Sequence, residues 1–104
     1  MKTVQAGTVS WATFEFYDKN NDPVIPDSVT YSVWCDTNDQ SVRTSTAAVP
    51  ASVLEIQLEA SDNTIIDATN PYEVRKVCVT STYGVADSRV DVLRYRILPP
   101  ETCA

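Results

Sequence analysis

The sequence predicts an all-β fold, a single antiparallel two-sheet sandwich of about seven strands. Three observations carry this. Runs rich in Val, Ile, Thr, Tyr, Phe and Trp alternate apolar and polar residues with period two. Clusters of Asp, Asn, Ser, Gly and Pro interrupt those runs about every eight to twelve residues. No stretch shows sustained helical periodicity.

The first strand is expected over Thr8 to Tyr17, with Ala12, Phe14 and Phe16 inward and Val9, Trp11, Thr13, Glu15 and Tyr17 outward. Aromatic residues on both faces suggest that another chain covers part of it. Asp18-Lys19-Asn20-Asn21-Asp22-Pro23 then forces a turn, because Asn and Asp tolerate left-handed backbone and Pro fixes φ. Val29, Tyr31, Val33 and Cys35 form the inner row of the second strand. Ser41 to Thr44 reads as a short polar edge strand. In the run from Val53 to Glu59, Leu54, Ile56 and Leu58 face inward. Ser61 to Ile66 breaks the alternation with cap-type residues and reads as a short helical turn plugging one end of the sandwich. Tyr72 to Tyr83 is placed centrally, Gly84 opens a tight turn, and Val90 to Leu98 closes the fold before Pro99-Pro100. The pattern is that of one immunoglobulin-like domain over residues 8–98, with an N-terminal arm (1–7) and a C-terminal tail (99–104).

Composition narrows the function. The 104 residues are 43% hydrophobic and 21% charged, and no run approaches the length of a membrane helix. Met1 to Ala6 lacks the apolar core of a signal peptide, which points to synthesis in a cytoplasm-like compartment. A net charge of −6 disfavours nucleic acid, whose phosphates require clustered cations. The sequence has no His, which removes Ser-His and Cys-His nucleophiles and most metal sites. The expectation is a binding protein, not an enzyme, without cofactor or metal.

Cys35, Cys78 and Cys103 form no CxxC pair and read as free thiols, a bridge from Cys35 to Cys78 across the two sheets being the alternative. Asp18, Asn20 and Asp22 reproduce the start of a calcium loop, but Pro23 replaces the required Gly and Val29 the closing Glu, leaving a hairpin turn. Trp11 and Trp34 lie opposite the main apolar rows and are the leading interface candidates, whereas Phe14, Phe16 and Tyr31 belong to the core by periodicity. Tyr17, Arg43, Arg94 and Arg96 complete the candidate protein interface.

The stretch from Phe14 to Val33 runs from an FxFxD strand through an acidic and amide turn and Pro23-Val24-Ile25-Pro26 into Ser28-Val29-Thr30-Tyr31. With Pro50 to Leu58 and Tyr72 to Tyr83, it resembles small bacteriophage virion structural proteins with an immunoglobulin-like sandwich, over roughly residues 8–98. The usual glycine of the first turn is replaced here by Asn20, Asn21 and Asp22. The resemblance implies a multicopy or homo-oligomeric virion part, assembled in the host bacterial cytoplasm. It would bind a major capsid protein as decoration or cement, or a connector at the neck or head–tail junction. A carbohydrate-binding or adhesion module of a phage tail or bacterial surface, using Trp11 and Trp34, is the second expectation. A third is a domain cut from a longer bacterial protein, although Met1 and the tail after Leu98 read as a complete product.

Overall fold

The computed structural model describes residues 2–84 and 87–99. Seven strands follow one another: β1 (Lys2–Gln5), β2 (Ser10–Glu15), β3 (Ser28–Cys35), β4 (Gln40–Ala48), β5 (Val53–Leu58), β6 (Glu73–Tyr83) and β7 (Asp87–Leu98). They form a five-stranded sheet ordered β1-β7-β6-β3-β4 and a two-stranded sheet ordered β2-β5. Every pairing is antiparallel except that of β1 with β7. With β2, β3, β4, β5, β6 and β7 taken as strands B, C, C′, E, F and G, this is the immunoglobulin-like arrangement without a D strand.

The alternation in sequence becomes two facing apolar layers. Ala12, Phe14, Leu54, Ile56 and Leu58 descend from the small sheet, and Val29, Val33, Val77, Val79, Tyr95 and Ile97 rise from the large one. Phe14 and Phe16 are buried as periodicity requires, while Tyr31 is half-buried. β6 lies at the centre of the large sheet, and β4 lies at its edge, longer than the expected Ser41 to Thr44. Register shifts between Tyr31 and Val33 and between Val33 and Trp34 bend the β3–β4 pair.

Turn chemistry sets the connections. Asp18 Oδ1 accepts from the amides of Asn20 (2.8 Å) and Asp22 (3.0 Å), and Asn21 takes a φ of 66°. Asn21 thus supplies the left-handed residue that glycine would otherwise provide, and Asp18 serves the backbone of a hairpin-type turn. At Gly84, φ is 69° and the amide donates to Asp27, which ties the β6–β7 turn to the start of β3.

Cys35 and Cys78 are free, as the sequence reads; they lie on β3 and β6 of the same sheet, one facing the core and the other outward, so the alternative of a bridge between sheets does not apply. Two expectations are corrected. Among the described residues of the expected N-terminal arm, Lys2 to Gln5 form β1, and the buried Val4 joins the core opposite Ile97. The segment after β5 is a hydrogen-bonded turn, not a helix, and it inserts Asp62 and Asn63 into the interior. Cys103 and the tail beyond Pro99 lie outside the described residues.

Candidate protein-binding surface

The outer face of the five-stranded sheet gathers three of the six interface candidates. Trp34 of β3 lies opposite Lys76 of β6, and Lys76 lies opposite Arg94 of β7, so the three cross the sheet in one row. In the next row, Val74 lies opposite Arg96. Asp36, just after β3, accepts from Arg94 at 3.0 Å and sits 3.7 Å from Lys76. The Arg96 guanidinium stacks 4.8 Å from the Tyr72 ring centre, an arrangement that holds both groups without dehydrating the charge.

Beside this row lies a shallow, open depression of about 430 Å3, lined by Asp36, Thr37, Asn70, Pro71, Tyr72 and Val74. Three cations against one carboxylate make the patch locally positive on a chain whose net charge is −6. Trp34 is half-buried there.

The remaining candidates lie elsewhere. Trp11 is 51% exposed on the outer face of β2. Tyr17 is exposed past the end of β2, donating to Glu15 at 2.6 Å, a bond to a carboxylate that raises the phenol's pKa. Arg43 is half-buried, and its guanidinium is already engaged within the chain. Its guanidinium is engaged by both oxygens of buried Asp62 and donates to the Tyr31 hydroxyl at 3.1 Å. Lys76 and Asp36 are not among the interface candidates that the sequence offers, and Tyr72 is one of several aromatics it offers for a platform. Asp36 follows Trp34 by two residues in the same alternating row, whereas only strand register brings Lys76 beside Trp34 and Arg94, and alternation within single strands carries no register.

A buried polar network fixes the loop that forms one wall of the depression. Arg75 of β6 is fully buried and donates to the Asp62 carbonyl (3.1 Å), the Thr64 carbonyl (2.6 Å), Cys35 Sγ (3.1 Å) and Glu73 Oε1 (3.0 Å). Glu73, equally buried, accepts from the amides of Ile66 and Asp67 and from the side chain of Asn70. Tyr95 donates to Asn63 Oδ1 at 2.7 Å, and burial raises its phenol pKa. Asn63 donates in turn to the Thr8 carbonyl and to Ser10. Strands β2, β3, β6 and β7 and the 59–72 connection are thereby locked together without an unsatisfied buried side-chain polar atom among the described residues.

Burial alone would raise the Glu73 pKa, but the Ile66 and Asp67 amides, Asn70 and Arg75 outweigh it and lower it to about 2 from 4.5. The folded-state value lies below the unfolded one. The resulting stability is therefore present above about pH 4.5 and lost as pH falls towards 2. Unfolding free energies from urea titrations across that interval should fall by on the order of 3 kcal/mol from this group, and E73Q should flatten most of that dependence.

Comparison with protein-family models, with curated proteins and with solved structures returned no significant match to this chain.

Proposed function

We propose that this chain is a non-enzymatic structural protein of a bacteriophage virion. It binds other virion proteins, as capsid decoration or cement or as a head–tail or neck component. The observation that carries the protein-binding part is the row Trp34, Lys76, Arg94 with neighbouring Arg96 and Tyr72 on the outer face of the large sheet. Tryptophan, tyrosine and arginine are enriched at protein interface hot spots, and a flat cationic face suits an acidic protein surface better than a small ligand. The virion assignment rests on the resemblance of residues 8–98. Trp11 and Trp34 stand on opposite sheets, so they cannot share one sugar platform, and this favours the protein-binding reading over glycan adhesion.

The test is copy number and position in purified particles by quantitative mass spectrometry and imaging of labelled chains. Hundreds of copies over the head would support decoration or cement, and about a dozen at one vertex a neck part. No copies would sink the virion reading. The variant K76E/R94E/R96E should weaken particle occupancy at least about tenfold, with unchanged folding by circular dichroism. Undiminished occupancy would exclude this face as the contact.

A further inference from the structure

β7 is paired along one edge with β6 from Asp87 to Ile97. Its other edge holds β1 only from Tyr95 to Leu98. From Asp87 to Arg94 that edge has no partner strand among the described residues. The Ala6 amide donates to the Leu98 carbonyl at 2.8 Å, so that carbonyl points to this edge. Backbone groups alternate along a strand, and those of Ser88, Val90 and Val92 therefore point the same way. Val90 and Val92 are 64% and 45% exposed on the outer face. An edge with outward-pointing amides and exposed β-branched residues is a template for another strand.

We propose that this edge pairs antiparallel with the same edge of a second copy, joining two five-stranded sheets into one continuous sheet. Charge selects the occupant and the register. With a two-fold axis through Val90, Val90 meets Val90 of the second copy and Ser88 meets Val92. Arg89 meets Asp91 in both directions. Shifting the register one pairing step sets Asp91 against Asp91, and shifting it the other way sets Arg89 against Arg89 and Asp87 against Asp91; like charges opposed across strands destabilise a pair.

The same register leaves room for β1. Its Lys2 end lies opposite Tyr95, a position that falls beyond the Asp87 end of the second copy's β7. Arg89 is held in place for this role. It donates to the Tyr17 carbonyl at 2.6 Å, lies 4.6 Å from the Tyr83 ring centre and sits 3.6 Å from exposed Asp87, while Asp91 has no ion-pair partner among the described residues. The other edges are less suited. β4 is bent by two register shifts, and β2 and β5 carry acidic charges with no cation to oppose them. The pairing concerns the chain alone and stands apart from the virion reading.

The test is sedimentation equilibrium of the whole chain, alone and as charge variants. The native chain is expected to dimerise with rising concentration. D91R, which leaves the Arg89 contacts with Tyr17 and Tyr83 in place, should weaken dimerisation at least about tenfold, as should R89D. Mixing D91R with R89D should restore dimers, because in the mixed pair each reversed charge again faces its opposite. Circular dichroism checks that each variant is folded. A native chain that stays monomeric to millimolar concentration, an oligomer unaffected by D91R, or a mixture that fails to re-associate would each overturn the proposal.

Discussion

Glu73→Gln should destabilise the domain by about 3–5 kcal/mol, the cost expected when one partner of a buried ion pair is removed. The reason is what remains. Arg75 is fully buried, and its guanidinium would be left against two carbonyls, a thiol and a neutral amide. Arg75→Met should cost a similar amount, since the Asp62 and Thr64 carbonyls and Cys35 would each lose a donor. The double variant should lose clearly less than the sum of the two, by at least about 1 kcal/mol, because neither charge is then left alone. Urea unfolding of the four proteins measures all three quantities. Strict additivity, or a loss below about 1 kcal/mol for E73Q, would show that the pair is not held as described.

Such losses matter because a domain of this size has only about 5–15 kcal/mol of total stability. They also bear on the binding face. Glu73 holds the amides of Ile66 and Asp67 and the side chain of Asn70, and Asn70 lines the depression beside Tyr72. Loosening the ion pair should therefore blur the depression before it unfolds the sheet, which native-state hydrogen exchange at Ile66 and Asp67 would detect.

What the sequence disclosed follows from where its information is local. Alternation identified the inner rows of β2, β3 and β5 residue by residue, and Gly84 and the Asp18–Asp22 cluster identified turns, because each depends on neighbours along the chain. Glu73 and Arg75 fall on the inward-facing positions of β6, where charge is costly without partners two strands or a loop away. Nothing in a single run of residues announces such partners: Asp62, Thr64, Ile66 and Asp67, whose backbone groups provide most of them, lie in or just after a segment that reads as a short helical turn plugging one end of the sandwich. The engagement of Arg43 was not legible for the same reason: its strand is polar, yet its half-buried guanidinium reaches Asp62. Of the proposed binding face, Trp34, Arg94 and Arg96 were legible as outward positions, and Asp36 as the next residue in the row of Trp34. Their meeting with Lys76 was not, since it depends on the register of β6 against both neighbours.

Removal of residues 1–5 should cost roughly 2–4 kcal/mol and not leave the domain intact, as loss of a free arm would. Burying one Val side chain contributes about 1.5–3 kcal/mol, and Val4 is buried in the core opposite Ile97. The backbone bonds along Tyr95 to Leu98 would be exchanged for bonds to water, while the freed residues regain conformational entropy, so Val4 and the uncovered core beneath it dominate the balance. Val4→Asp separates these contributions, because it keeps the chain length and places an unpaired charge where the valine was. If V4D approaches the truncation in urea midpoint, docking of that side chain is what holds β1. If truncation leaves the midpoint unchanged, β1 is not part of the folded unit. Truncation would also open the β7 edge from Asp87 through Leu98, so it should strengthen association between copies even as it weakens each one. Loss of partner binding on truncation therefore cannot by itself identify residues 1–5 as a contact. Only a surface change such as R94E, which leaves the core and β1 in place, reports on the binding face.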